Sequence, residues 1–114
     1  MIYEADIPIE PHAKERPRFG SGRAYNSKRY TDWRKRFCAL APKVKTAMGG
    51  NLEVSIFFHT KSGKMRPDLD NAAAGVCDAL QDAGVIVNDR DIVDLHCGIV
   101  AADKPGINIY IRER

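Results

Sequence analysis

Apolar and polar residues alternate at both ends of the chain and again near its middle. Tyr3, Ala5, Ile7 and Ile9 alternate with Glu4, Asp6 and Pro8, which predicts a strand over 2–9. Pro8 places the end of that strand at an edge or an exit. Residues 51–59 set Leu52, Val54, Ile56 and Phe58 against Glu53, Ser55, Phe57 and His59, a strand with one buried face. Over 92–101, Val93, Leu95, Cys97 and Ile99 share a face. Ile107, Ile109 and Ile111 then alternate with Asn108, Tyr110 and Arg112, and Lys104-Pro105-Gly106 predicts a hairpin turn between these last two strands.

Between the strands the period lengthens to three and four. Tyr30, Trp33, Phe37, Leu40, Ala41, Val44 and Met48 predict a helix capped by Asn26, Ser27 or Thr31, with a kink or break at Pro42 and an end at Gly49-Gly50. Leu69, Ala72, Ala73, Val76, Cys77 and Leu80 predict a second amphipathic helix, closed by Ala83-Gly84. The order β-α-β-α-β-β predicts an α+β fold: a single domain over 1–114, with a mixed sheet of about four strands and two main helices on one face. Residues 10–25 read as a long basic loop rich in proline and glycine.

Composition adds little until charge is followed along the chain. Its 114 residues suit one compact domain. No apolar run approaches the roughly 20 residues of a membrane span, and MIYEADIPIE does not read as a signal peptide. Cys38, Cys77 and Cys97 form no C-x-x-C pair, which predicts reduced core cysteines in a cytoplasmic protein. The net charge of +3 conceals an asymmetry: His12 to Met48 holds eleven Lys or Arg and two acids, whereas Arg66 to Asp94 holds seven acids and two bases. A solvated basic face explains the first cluster as readily as a polyanion does.

The acidic cluster has an internal pattern. In RPDLDNAAAGVCDAL, Asp68 stands where a helix N-cap belongs, and Asp70 lies at the edge of the apolar stripe. Capping and the helix dipole account for both. The turn Asn88-Asp89-Arg90-Asp91 adds carboxylates just before the next strand, with Asp91 ambiguous beside Asp89. Gathered carboxylates repel one another, and a hard cation such as Mg²⁺ relieves this. Zinc needs His or Cys at ligand spacing, which the scattered His12, His59 and His96 do not supply. Asp78, Asp82 and Asp94 read as surface residues. In the basic stretch, Lys14, Arg16 and Arg18 alternate, and Pro17 stiffens them into a ladder suited to successive phosphates. Phe19, Tyr25 and Tyr30 interleave and could stack on bases, although Tyr30 and Trp33 also fit the helix core.

These motifs together resemble the RusA family of Holliday junction resolvases: the K-x-R-P-R…Y…W arm, R-P-D-L-D-N with D-A-L eight residues on, and V-N-D-R-D-I-V. The resemblance covers most of the chain. It implies a dimeric, Mg²⁺-dependent endonuclease of bacterial or phage origin (Mn²⁺ also serving) that acts on four-way DNA junctions and has no membrane partner. Asp68, Asp70 and Asp89 would be its acidic catalytic and metal-binding triad. Lys14, Arg16, Arg18, Arg23, Tyr25, Lys28 and Arg66 would contact DNA. The family's lysine four residues after the second aspartate is replaced by Ala74. Alanine there reads as a helix former on an exposed face. It also reads as a divergence covered by Lys64 or Arg66, or as an engineered substitution that stops cleavage and preserves binding; the intact remainder of the motif favours this last. The alternative function is a non-catalytic four-way-junction binder.

Overall fold

The computed structural model describes residues 1–16, 18–20 and 23–114, and the backbone alone at 18, 19 and 23–25. Strand β1 (Ile2–Ile7) is followed by β2 (Arg18–Gly20), β3 (Arg23–Tyr25), α1 (Lys28–Leu40), β4 (Leu52–Thr60) and α2 (Leu69–Asp82). A 3₁₀ turn (Asp89–Asp91), β5 (Ile92–Ala101) and β6 (Gly106–Glu113) complete the order. The main sheet runs β1-β6-β4-β5, with β4 and β5 parallel and the other neighbours antiparallel. This is the expected α+β architecture, with β2 and β3 forming a small separate hairpin inside the basic loop.

The alternating positions do what period-2 patterning requires. Tyr3, Ala5 and Ile7, Leu52 to Phe58 at every second residue, and Ile107, Ile109 and Ile111 all turn into the core. Both helices cover that face. Tyr30, Trp33 and Phe37 bring their rings from α1, and Ala72, Ala73, Val76, Ala79 and Leu80 from α2. The other face carries Glu4, Asp6, Glu53, Asp94, Tyr110 and Arg112, partly tied together by Arg112 and Arg114 on Glu53.

Two expectations are corrected, and one strand is placed at an edge. The first helix stops at Leu40 because Ala41, forced extended before Pro42 (φ −70°, ψ 134°), cannot continue it. Val44 and Met48 still pack on the core, but from irregular chain: Met48 bridges Ile86. The Lys104-Pro105-Gly106 turn makes no hairpin, since β6 leaves β5 and pairs on the far side of β4. Finally, β5 is an edge strand. Val93, Leu95 and Ile99, expected to share a face, remain 49%, 45% and 37% exposed.

Candidate active site

The parallel β4–β5 pair is joined through α2, so the helix must run back along the sheet. Its start lies near the end of β4 and its end near the start of β5. Asp68 occupies the N-cap position with extended backbone (φ −61°, ψ 144°), yet its side chain makes no capping hydrogen bond. The carboxylate is therefore not consumed by the helix. Asp70, in the first turn, accepts the Asn71 N–H at 2.9 Å. Both aspartates are exposed, and among the described residues neither pairs with a base. Two free carboxylates at the positive end of a helix dipole are an unneutralised oxygen-donor pair.

Asp89 is held elsewhere. Asn88 accepts the Arg90 N–H at 2.9 Å and starts the 3₁₀ turn, while the Asp89 N–H donates to Gln81 Oε1 at 2.6 Å. Gln81 is eleven residues beyond Asp70, about 16 Å along the helix axis. At 100° per residue, Asp70, Ala74, Cys77 and Gln81 fall within about 60° of arc. They form one flank of α2, with Asp70 at one end and the acidic turn at the other. Burial pushes the Cys77 thiol up to about 12, with Asp89 and then Asp78 adding to the rise, so it stays a neutral thiol. Among the described residues, no three His, Cys, Asp or Glu side chains lie close enough to share a metal ion. Asp68, Asp70 and Asp89 of one chain therefore form no such three-carboxylate cluster.

The basic segment meets the same helix. A Cβ at Gly75 would collide with the His12 carbonyl oxygen and stand 3.3 Å from the Lys14 nitrogen. Only glycine lets the chain lie so close. The Lys14 N–H donates to the Asn71 carbonyl at 3.0 Å, and its ammonium stands 3.2 Å from Asp78 Oδ1. The Tyr30 hydroxyl donates to Asp78 Oδ2 at 2.6 Å. Burial and this bond raise the Tyr30 phenol far above its ordinary range. Glu15 accepts the N–H and hydroxyl of Ser27, and Ser27 Oγ caps α1 by accepting the Tyr30 N–H. The two ends of the basic loop are thereby tied together against α2.

Of the residues expected on DNA, Lys14 is already paired, Arg16 is exposed, and Lys28 reaches Asp32 at 3.1 Å. Arg66 is exposed. With Arg29, His12, Glu15, Pro11 and Pro67 it borders a cavity of about 270 Å³ beside the start of α2. The side chains of Arg18, Arg23 and Tyr25 lie outside the described residues. The sequence pattern places Tyr30 in the helix core, as found, but gives no hint of its bond to Asp78. A glycine inside a helical pattern, Gly75, was the available signal for this contact region, because it marks a close approach. Asp78 is not the surface residue expected: its side chain is 13% exposed and has two partners. Ala74 is half-buried rather than exposed.

The profile of the family described as endodeoxyribonuclease RusA matches residues 8–112. The chain belongs to the RusA family. No curated protein matches it. The matched span takes in the basic loop, both helices, the acidic turn and the edge strand. RusA proteins are endodeoxyribonucleases that act on branched DNA junctions and generally depend on a divalent metal. The donors at the start of α2 fit such an ion. They are carboxylate oxygens, exposed and uncapped, and Mg²⁺ commonly takes one or two carboxylates and keeps several waters. Among the described residues, no helix is long and apolar enough to cross a membrane.

Proposed function

We propose that the chain is a Mg²⁺-dependent endonuclease that resolves four-way DNA junctions as a homodimer, in the cytoplasm of a bacterium or of a phage's host. The observation that carries this reading is the pair of free carboxylates, Asp68 and Asp70, at the start of α2 in a RusA-family chain. Asp68 and Asp70 would hold the ion. When bound, it supplies Lewis-acid stabilisation of the charge developing on the phosphodiester and makes water a better nucleophile. The chain's own residues do the rest. The basic loop, Lys28 and Arg66 hold the junction's phosphates, and the positive end of α2 favours a phosphate beside Asp70.

The third carboxylate comes, in this reading, from Asp89 of the partner subunit. Edge strand β5 offers an unpaired row of backbone groups flanked by Val93, Leu95, Ile99 and Val100. Antiparallel pairing of β5 with a second β5 about a two-fold axis would continue the sheet. It would also carry the partner's acidic turn to the end of β5 nearest the start of α2. Each dimer then has two composite sites, suited to cutting two strands at paired positions.

Synthetic junctions test the reading. Cutting in Mg²⁺ that stops with chelation and strongly favours the junction over flap and linear duplex at equal salt is the expected result. Equal cutting of all three substrates would remove the junction assignment. The other reading is a non-catalytic junction binder, favoured by Ala74, which puts no cation beside Asp70 from the helix itself.

A further inference from the structure

The row Asp70, Ala74 and Asp78 follows one ridge of α2 at successive helical turns. Ala74 leaves its middle without a side chain of any reach. The base that the structure ties to this row comes from the other end of the sequence. Lys14 crosses α2 with its amide on Asn71 O and its backbone against Gly75, which puts its Cα abreast of the stretch between Asp70 and Asp78. Its ammonium lies on Asp78, one turn beyond Ala74. A four-carbon stem gives that ammonium about 6 Å of reach, and each turn of the helix advances about 5.4 Å. A swing of the ammonium from Asp78 toward the middle of the row, at Ala74, is thus within that reach. Lys64 and Arg66, the bases nearest in sequence, make no hydrogen bond or ion pair with it among the described residues.

Asp78 is built to release Lys14. Its two oxygens have separate partners, Lys14 on Oδ1 and the Tyr30 hydroxyl on Oδ2. When the ammonium leaves, the carboxylate keeps a short hydrogen bond from a fully buried tyrosine. Lys14 is 42% exposed, so a phosphate can compete for it.

We propose that Lys14 supplies the cation of the catalytic site: it is docked across α2, held on Asp78, and passes to the scissile phosphate when DNA occupies the Asp68–Asp70 end. The proposal rests on the nuclease reading above. Lys14 forms no covalent bond and gives up no proton. It offsets the negative charge that grows on the phosphoryl oxygens as water attacks phosphorus and the phosphodiester oxygen leaves. Asp78 is the positioning residue, and Gly75 permits the approach.

The test measures single-turnover cleavage of a synthetic four-way junction in Mg²⁺ at saturating protein, together with junction affinity and its salt dependence. Lys14→Ala is expected to slow cleavage by about 10²–10³-fold, the usual effect of removing one group that stabilises transition-state charge. Its affinity should fall by less than about threefold, with the salt slope changing by no more than about 1, as for one phosphate contact. Lys14→Arg should retain part of the rate, and Ala74→Lys should restore cleavage to Lys14→Ala. Asp78→Asn, which keeps an acceptor for Tyr30, separates loss of the hold on Lys14 from loss of folding. Saturated Lys14→Ala cutting at the wild-type rate would overturn the proposal and leave Lys14 an ordinary phosphate contact. A wild-type chain that is inert while Ala74→Lys cuts would overturn it too, with the nuclease reading intact. If neither chain cuts a junction that it binds, the nuclease reading falls and takes this proposal with it.

Discussion

Two pairs of aspartates lie on α2, and their surroundings are opposites. Asp78 and Asp82, in the second half, are satisfied: Asp78 by Lys14 and Tyr30, Asp82 by two bonds from the Arg34 guanidinium at 2.5 and 2.8 Å. Asp68 and Asp70, at the start, have no cation among the described residues, and Asp68 does not even cap its own helix. One helix thus separates carboxylates that join elements from carboxylates left available. The difference lies in what the neighbouring elements bring: Lys14 reaches Asp78 and Arg34 of α1 reaches Asp82, while no base among the described residues reaches Asp68 or Asp70.

The sharpest way to break this comparison is to neutralise each pair in turn. Asp70→Asn should lower junction cleavage by at least about 10³-fold, on the scale of losing a principal electrostatic group, while the melting temperature stays within about 1 °C. A matching loss of stability would show that Asp70 is structural after all. Mixing separates a composite site from a self-contained one. Asp70→Asn and Asp89→Asn proteins, each inactive alone, should regain nicking to about a quarter of the wild-type level after subunit exchange, since half the dimers carry one intact site. Continued silence in a mixture shown to exchange would place all three acids in one chain.

The second half of the helix should answer in stability. Asp78→Ala leaves the buried Tyr30 hydroxyl without its acceptor and should cost about 2 kcal/mol, read by denaturant unfolding. Asp82→Ala removes a pair that is about a third exposed on the aspartate side, and should cost under about 1 kcal/mol. Unfolding that cost more for Asp82 than for Asp78 would reverse the ranking. The last effect appears only in alkali. The Cys77 thiol is raised from 9.0 to about 12, so above pH 9 the unfolded chain loses a proton that the folded chain keeps. Stability is then full below pH 9 and falls as pH rises toward about 12, with the upward shift of Tyr30 acting in the same direction. Cys77→Ala should flatten the part of this slope that begins near pH 9.

Much of the fold was legible because buried faces impose periods. The alternation in β1, β4 and β6 and the apolar stripe of α2 follow directly from which side meets the core. The three-residue strands β2 and β3 are too short to show a period. The β5–β6 turn misled because local turn chemistry says nothing about which strand lies next door. Exposure of Leu95 and Ile99 depends on strand order, which alternation does not encode. At the site, the residue types at Asp68 and Asp70 were readable, and so was the absence at Ala74. The spacing of the third acid was not, because it depends on the helix running back along a parallel strand pair. Lys14 was read as one rung of a ladder, since its partner Asp78 is 64 positions away.

The open edge of β5 would, in a dimer joined there, make the chain's behaviour depend on how much of it a cell contains. If a complete site needs two copies, then well below the dimer's dissociation constant cutting power grows with the square of concentration rather than in proportion to it. A trace of the protein would leave chromosomes alone, and a burst of synthesis would arm it abruptly. The same edge exacts a cost in the isolated chain, whose uncovered strand is a template for adhering to any other exposed strand.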